Sequence, residues 1–255
     1  MKENPLKYSL TTRFKERQIL RLLDIKPGER LLDVGCGIGY LSSLARACGA
    51  EIVGIDMSHQ ALLHAREQVD GRFVVAGAGG LPFVTGSFDK VIFADVIEHV
   101  PDDQQALGEI VRVAKQGARI VISTPALEGI FTETWLKTYL HGEEDEFQKN
   151  YREGYTTQAL QDLMHACSIE NRETAYTNFF VSEILLGITK LAYASQKTRY
   201  NSQADLVDVA GSWLFKIYRT LVFPIFFGLG RIEEIAVGSW AKGHCLIVGG
   251  SINKK

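Results

Sequence analysis

The sequence predicts an α/β protein with a doubly wound sheet of seven strands, mostly parallel with an antiparallel last strand, plus a helical insertion. Three observations predict this fold class. Short apolar segments alternate with amphipathic segments as far as Pro125. The first apolar segment runs directly into a glycine-rich turn. Residues 179–240 then interrupt the alternation before one more apolar segment.

The expected elements follow one another at the spacing of β–α units. The strands are expected over residues 30–34, 51–55, 72–75, 88–93, 118–123, 170–176 and 244–249. The helices are expected over about residues 12–24, 41–47, 58–69 and 103–115, and after Thr156 or Thr157. Ser58 and this pair of threonines are typical N-cap residues. The order predicts a Rossmann-like sheet with helices on both faces.

Four loops of this fold are expected to converge on one crevice. Ligands of doubly wound sheets bind beyond the carboxyl ends of the strands. Asp33 and Asp56 come at the ends of the first two strands, and the loops after Val75 and Phe93 lie at the same edge. We therefore expect the functional site there.

The glycine-rich turn has an unusual spacing. It reads Asp33-x-Gly35-x-Gly37-x-Gly39, and Tyr40 stands where the third glycine of a dinucleotide-binding turn would be. A dinucleotide-binding turn places a pyrophosphate at the N-terminus of the following helix. The early third glycine therefore argues against a nicotinamide-dependent oxidoreductase, while still indicating a ligand that lies against bare backbone.

The composition excludes several classes of function. The 255 residues carry a formal net charge of -2 and no basic stripe with interleaved aromatics, which argues against nucleic acid as a partner. The four cysteines form no pair at metal-ligand spacing, so we expect free thiols in a reducing compartment. Residues 1–5 lack the apolar region of a signal peptide, and we expect a cytoplasmic protein.

Four motifs occur in order along the first two thirds of the chain. They are residues 26–39, which end in the glycine turn; Val-Gly-Ile-Asp at 53–56; Leu-Pro-Phe followed by Gly-Ser-Phe-Asp within 81–89; and Val-Ile-Glu-His-Val at 96–100. Together these motifs resemble a class I S-adenosylmethionine-dependent methyltransferase of the type 11 kind, from about residue 26 to residue 169. Each motif is weak alone, but their order and spacing are specific.

The resemblance implies S-adenosylmethionine as cofactor, with S-adenosylhomocysteine as product, and a set of residues that hold it. Asp33 would bind the amino group, and the three glycines would admit the methionine part. Asp56 would bind the ribose hydroxyls, and Met57 would pack on the adenine. The candidate cofactor-binding residues are Asp33, Gly35, Cys36, Gly37, Gly39, Asp56, Met57, Gly77, Ala78, Ala94 and Asp95.

The sequence departs from the family pattern after the third strand. Many members carry an aspartate there that binds the adenine amino group, whereas this chain has Gly77. We expect the adenine to be held by backbone groups near Ala78 or through a water molecule. Cofactor binding is then expected to be weaker or more adaptable.

Two histidines are candidates for a general base, which the reaction needs if the acceptor is a hydroxyl. His99 follows the fourth strand at the cofactor edge, and bracing the loop before Pro101 is an equal alternative for it. His141 lies in the segment after the fifth strand, which in this fold borders the acceptor pocket. Asp95, Glu98 and His99 have the spacing of a metal-binding helical turn, but no fourth ligand is evident, and no metal is predicted.

The chain is expected to comprise a core with two additions. Residues 26–178 and 241–255 would form the cofactor-binding core, residues 1–25 an N-terminal helical cap, and residues 179–240 an apolar helical lid. The lid is expected to be part of the core, to line a pocket for an apolar acceptor, or to lie on a membrane surface. In the last case the cations facing the headgroups would be Lys190, Lys197, Arg199, Lys216 and Arg219.

The predicted activity is transfer of a methyl group to a small hydrophobic, lipid-like or envelope-precursor acceptor, with oxygen as the favoured atom. The identity of the acceptor and the oligomeric state stay open. One alternative is a protein that keeps the fold and binds the cofactor or a partner without catalysis, for which Gly77 is the supporting residue. The nicotinamide-dependent oxidoreductase is the other alternative, and the position of Gly39 argues against it.

Overall fold

Parallel strands and amphipathic helices alternate along the chain in the computed structural model, as the sequence predicts. The structure describes residues 4–129, 151–182, 184, 212–238 and 240–254. The strands are β1 Arg30–Val34, β2 Glu51–Asp56, β3 Gly71–Val75, β4 Phe88–Ala94, β5 Ala114–Pro125, β6 Ile169–Thr177 and β7 Cys245–Ile252. The helices are α1 Leu10–Leu23, α2 Tyr40–Ala47, α3 His59–Gln68, α4 Asp103–Val113, α5 Thr157–Ala166, α6 Trp213–Ile217 and α7 Phe223–Val237.

The seven strands form one sheet in the order β3-β2-β1-β4-β5-β7-β6. Neighbouring strands from β3 to β5 are parallel, and β7 is antiparallel to both β5 and β6. The order reverses between β1 and β4, which places a crevice beyond their carboxyl ends. This arrangement confirms the predicted fold class, including the antiparallel last strand.

Helices cover both faces of the sheet because successive side chains of each strand point to opposite sides. Leu32, Val91 and Ile120 belong to one apolar cluster, which α4 and α5 complete. Leu31, Ile92 and Val121 belong to the other cluster, which α1 and α3 complete. The sheet is therefore doubly wound, with a dry core on each side.

Local capping chemistry starts the helices where the sequence predicts. Ser58 Oγ accepts a hydrogen bond from the Ala61 N–H at 3.2 Å, and Thr156 Oγ1 accepts one from the Ala159 N–H at 3.2 Å. Of the two threonines considered, Thr156 is the N-cap of α5.

Strand β5 begins earlier than the sequence predicts. Residue 118 was the expected start, but Ala114 already pairs with Phe88 across a register shift between Phe88 and Lys90. The chain therefore passes from α4 into the sheet without an intervening loop. The first residues of β5 are mostly polar, so the apolar pattern of the sequence does not predict that they pair with β4.

The C-terminal part of the insertion is helical. Helices α6 and α7 are joined by a π-helical turn, Tyr218–Val222. One face packs on the N-terminal helix, where the ring of Phe227 stacks on Phe14 at a centroid distance of 5.6 Å. The other face is exposed and apolar; its large side chains are Trp213, Ile217, Leu221, Ile225, Leu229, Ile232 and Ile235. No helix in the described part of the chain is long and apolar enough to span a membrane.

Candidate functional site

The glycine-rich turn connects β1 to α2 and is hydrogen-bonded to the neighbouring strand. The N–H groups of Gly35 and Cys36 both donate to the Ile55 carbonyl, at 2.8 and 2.9 Å. Gly35, Gly37 and Gly39 have φ angles of 72°, 52° and 78°, in the left-handed region that favours glycine. The turn is therefore a fixed extension of the sheet edge.

Two of these glycines are also required by the protein's own packing. A Cβ at Gly35 would lie 2.3 Å from Val96 Cγ2, and a Cβ at Gly39 would lie 3.0 Å from the Cβ of Ala65. Gly39 thus allows α2 to approach α3 closely. The atoms closest to Gly35 and Gly39 belong to the protein itself. That the turn also admits the methionine part of a cofactor stays a prediction.

Asp33 lies at the base of this turn. Its side chain is buried, and its Oδ2 accepts a hydrogen bond from Ser42 Oγ at 2.6 Å. Burial raises the pKa of Asp33 to about 6, although the bond from Ser42 opposes the shift. A cationic ligand beside this carboxyl would favour its ionised form.

A cavity of 110 Å³ lies beside the turn. Its lining residues come from the N-terminal segment, the glycine turn and the end of β4: Leu6, Thr12, Lys15, Ile19, Asp33, Gly35, Cys36, Tyr40, Leu41, Ala94 and Asp95. Five of the residues that are predicted to bind the cofactor are thereby brought together: Asp33, Gly35, Cys36, Ala94 and Asp95. That they bind it stays a prediction. The N-terminal helix supplies cavity residues that sequence reasoning missed.

Lys15 is the most consequential of the missed residues. Its ammonium pairs with Asp95 Oδ2, and its side chain is 13% exposed. Burial alone would lower the pKa of Lys15, but the charge of Asp95 raises it above its ordinary value. Nothing in the amphipathic pattern of α1 distinguishes Lys15 from the solvent-facing cations of that helix, so the sequence carried no signal for it.

Asp95 is held in a special backbone conformation at the end of β4. Its φ angle is 54°, and its Oδ1 accepts a hydrogen bond from Ser123 Oγ at 2.9 Å. Desolvation opposes ionisation of Asp95, but Lys15 outweighs it and holds the pKa of this carboxyl below its usual range. The cavity therefore contains the Lys15–Asp95 ion pair together with Asp33, whose pKa is raised.

Asp56 connects the glycine turn to the start of α3. Its Oδ2 accepts a hydrogen bond from the Gly37 N–H and its Oδ1 accepts one from the Ser58 N–H, both at 2.8 Å. A carboxylate oxygen can accept more than one hydrogen bond, so Asp56 keeps acceptor capacity for ligand hydroxyls.

The remaining candidates for adenine binding lie around Met57. Met57 follows Asp56 directly, and its side chain is 57% exposed. A Cβ at Gly77 would lie 3.9 Å from Met57 Sδ, so Gly77 and Met57 are neighbours, and Ala78 beside them is buried. These positions form an apolar extension of the crevice next to Asp56.

The Val-Ile-Glu-His segment forms a short 3₁₀ helix, Ile97–His99, at the same edge. Glu98 is buried, and its Oε2 accepts a hydrogen bond from Thr124 Oγ1 at 3.2 Å. Burial, followed by the charge of Asp95, raises the pKa of Glu98 to about 8. His99, the last residue of this helix, lies near Asp95. His141 lies outside the described residues.

The possible metal-binding arrangement of Asp95, Glu98 and His99 is not formed. Asp95 pairs with Lys15, whereas Glu98 is bound by Thr124. In the part of the chain that the structure describes, no group of three or more histidine, cysteine or acidic side chains is placed to hold a metal ion. The four cysteines are free thiols, and Cys36 and Cys245 are buried.

Comparison with known proteins gives a family match over the segment that builds this site. Residues 32–122 match the family model described as a methyltransferase domain. The chain is 34% identical over 120 residues to the methyltransferase GfsG of Streptomyces halstedii, covering 44% of this chain and 43% of that protein. It is 36% identical over 124 residues to a demethylmenaquinone methyltransferase of Thermus thermophilus, covering 46% and 56% respectively. The chain thus spans about half the length of these relatives.

The fold is also similar to that of a solved methyltransferase structure. The structure of phosphoethanolamine N-methyltransferase 2 of Haemonchus contortus, in complex with S-adenosyl-L-methionine, superposes with a TM-score of 0.62 at 20% identity. The superposition covers 94% of this chain and 52% of that protein. At this identity the likeness bears on the fold alone.

The described cavity fits the charges of the cofactor's amino-acid end. Asp33 and Asp95 offer carboxylates to an ammonium group, and Lys15 offers a cation to a carboxylate. Asp56 and Met57 extend the crevice with acceptor oxygens and an apolar surface. This geometry agrees with the family match: residues 32–122 match a methyltransferase domain, for which S-adenosylmethionine is the cofactor.

Proposed function

We propose that this protein is an enzyme that transfers the methyl group of S-adenosylmethionine to a small hydrophobic or lipid-like acceptor, with oxygen as the favoured atom. The observation that carries the proposal is the cavity in which Lys15, Asp33 and Asp95 meet the glycine turn. It lies at the carboxyl edge of the sheet, beside the end of β4. A cofactor held there by its amino-acid end would lie beside the loop that follows β4.

When bound, S-adenosylmethionine supplies an electrophilic methyl group on a sulfonium ion. The task of the protein is therefore alignment more than acid–base chemistry. Asp56 and the glycine turn are tied to each other and to β2, which makes the site rigid before any ligand arrives. Leu6, Thr12 and Lys15 line the cavity from the N-terminal segment.

Methylation of a hydroxyl oxygen also releases the hydroxyl proton. His99 is our candidate to accept it, because His99 lies at the cofactor edge near Asp95. His141 is kept as the second candidate on its sequence position. If neither histidine is needed, an acidic hydroxyl such as a phenol could lose its proton to water before the reaction.

An apolar acceptor is supported by the surface next to the site. The exposed face of α6 and α7 carries large apolar side chains rather than the charges usual on a solvent-facing helix. One relative is named for demethylmenaquinone as its substrate. The same surface supports a proposed peripheral contact with a membrane through residues 179–240, with the cations Lys216 and Arg219 beside it. We place the protein in the cytoplasm on the sequence prediction, and keep nucleic acid out of its partners on the net charge of -2.

The proposal is tested by separating cofactor binding from methyl transfer. Isothermal titration with S-adenosylhomocysteine is expected to show binding that Asp56→Ala weakens by at least tenfold, since one or more charge-assisted hydrogen bonds of about 1.5–3 kcal/mol are lost. Glu51→Ala, at the exposed start of the same strand, is the matched control. Incubation with radiolabelled cofactor and the lipid fraction of a cell extract is then expected to label an apolar product.

The alternative without catalysis predicts a different outcome in the second step. A protein that binds the cofactor only would give the same titration but no labelled product with any fraction. Gly77 supports this alternative, because the chain lacks the acidic side chain that many family members use for adenine. Label appearing in an apolar product, and lost in His99→Ala, would exclude it.

A further inference from the structure

A second cavity lies at the same edge of the sheet as the cofactor cavity. It has a volume of 230 Å³ and is formed where β6 ends, β7 begins and α7 ends. Because β7 is antiparallel to its neighbours, its first residues lie at the carboxyl edge of the parallel strands. Among the described residues, the two cavities share no lining residue.

The wall of this second cavity is mainly apolar. Its apolar members are Phe179, Phe180, Val237, Trp240 and Ala241. The two charged side chains in the wall already have protein partners. Glu233 Oε2 accepts a hydrogen bond from the Val181 N–H at 2.9 Å, and Lys242 pairs with Glu128 at 2.8 Å. A charged ligand would have to displace these contacts, whereas an apolar ligand would not.

Asn178 and His244 supply the other polar side chains of the wall, and the amide oxygen of Asn178 lacks such a partner among the described residues. Asn178 is 4% exposed, and its Oδ1 has no hydrogen-bond partner among the residues that the structure describes. Its backbone is held in place, with a φ angle of 61° and its carbonyl accepting from the His244 N–H at 2.8 Å. A buried carbonyl without a donor costs about 1–3 kcal/mol, so such groups usually have a partner in the functional state.

We propose that this cavity binds the apolar ring or head of the methyl acceptor, and that Asn178 Oδ1 accepts a hydrogen bond from a hydroxyl or N–H group on it. An apolar cavity of about 150 Å³ holds a benzene molecule, so a volume of 230 Å³ admits a larger ring system. The inference rests on the proposed function, because it takes the ligand to be the methyl acceptor. It adds the chemical class of that acceptor, which is an apolar molecule with one hydrogen-bond donor. A mainly apolar wall with a few polar groups is the usual design of a small-molecule site.

The test compares two probes, of which only one carries a hydrogen-bond donor. The full chain is titrated calorimetrically with 1-naphthol, which has a hydroxyl donor, and with 1-methoxynaphthalene, which has none. We expect 1-naphthol to bind roughly tenfold more tightly, as one hydrogen bond to an otherwise unpaired acceptor predicts.

In Asn178→Gly the preference is expected to disappear, and glycine is chosen because it tolerates a φ angle of 61°. Asn171→Gly, at an exposed position of β6, is the matched control and should keep the preference.

A second variant tests the location independently of Asn178. Ala241→Phe places a ring in the wall of the cavity, and we expect it to weaken the binding of both probes severalfold while S-adenosylhomocysteine still binds. Equal affinities of the two probes for the unmodified protein, a preference retained in Asn178→Gly, or unchanged binding in Ala241→Phe would each overturn the inference.

These measurements use no methyl transfer, so the two proposals can fail separately. Donor-dependent probe binding without any labelled product would reject the proposed enzyme activity and keep the ligand site. Labelled product without donor-dependent probe binding would keep the activity and reject this site.

Discussion

At the scale of single residues, the site depends on charged groups that lie close to one another. Lys15 and Asp95 form an ion pair, Asp33 has a pKa raised to about 6, and Glu98 has a pKa raised to about 8. The two raised values have the same main cause, which is burial of a carboxyl group away from water. The pKa of Asp95 is not raised, because the positive charge of Lys15 stabilises the ionised carboxylate. The charge state of the site is therefore set by one lysine from the N-terminal helix.

Replacing Lys15 should weaken cofactor binding. In Lys15→Met the cavity keeps Asp33 and Asp95 but loses the cation that would pair with the cofactor's carboxylate. A charged hydrogen bond contributes about 1.5–3 kcal/mol, so we expect the dissociation constant for S-adenosylhomocysteine to rise roughly ten- to a hundredfold by calorimetry. Arg17→Met, at an exposed position two residues further along α1, is the control. An unchanged dissociation constant in a folded Lys15→Met protein would contradict this role.

Glu98 should make the stability of the protein depend on pH. Its folded-state pKa of about 8 lies above the ordinary value of about 4.3, so the folded state holds this proton more tightly. The resulting stabilisation is complete below pH 4.3 and is lost as the pH rises towards 8. We expect thermal unfolding between pH 5 and pH 8.5 to show a falling midpoint, and Glu98→Gln to reduce this fall. Glu51→Gln at an exposed position is the control, and parallel pH curves for Glu98→Gln and the unmodified protein would argue against the effect.

At the scale of elements, short-range chemistry explains where strands and helices start. The inner parallel strands β1, β2 and β4 were recovered because apolar runs of this length are buried on both faces of a parallel sheet. Ser58 and Thr156 begin their helices as predicted because N-capping depends on residues only three positions apart. The start of β5 at Ala114 was missed because it depends on pairing with Phe88, which is distant in sequence.

The packing of α2 on α3 gives a prediction at this scale. Gly39→Ala would place a methyl group 3.0 Å from the Cβ of Ala65 at a φ angle of 78°. Strained backbone and overpacking each cost about 1–3 kcal/mol, so we expect a clear loss in the free energy of unfolding by urea titration. Gly108→Ala is the opposite case, because Gly108 lies inside α4 with nothing within 4 Å of its Cβ position. We expect that variant to be stabilised by about 0.5–1 kcal/mol; stabilisation of Gly39→Ala would contradict the packing argument.

At the scale of the whole molecule, the fold brings three separate parts of the chain to one edge. The N-terminal helix, the loops after β1 to β4, and the segment between β6 and β7 all reach the carboxyl ends of the parallel strands. The cavity beside the glycine turn and the apolar cavity both lie on this edge, and α7 packs on the N-terminal helix and ends at the apolar cavity. This layout agrees with an acceptor that reaches the site from an apolar phase.

The exposed face of α7 should mediate the proposed membrane contact. Two charges placed on it, in Ile225→Glu with Ile232→Glu, oppose burial in the headgroup region, and we expect them to reduce co-sedimentation with vesicles that contain anionic phospholipid by at least fivefold. Val84→Glu at a remote exposed apolar position is the control. Unchanged sedimentation would reject the contact, and a change from dimer to monomer in the double variant would assign the face to a second copy of the chain instead.

Local sequence determined the strand–turn–helix unit at Asp33 to Gly39 and the acid at the end of β2, and the resemblance of the four ordered motifs to methyltransferases indicated the cofactor. These features depend on residues close together in the chain, where backbone conformation and strand burial leave a readable pattern. Only the tertiary structure decided that Lys15 enters the cofactor cavity and that Asn178 lies in an apolar cavity with Trp240. Both depend on which distant elements pack together, and a lysine on an amphipathic helix or an asparagine after a strand has the same local pattern whether water or a ligand faces it.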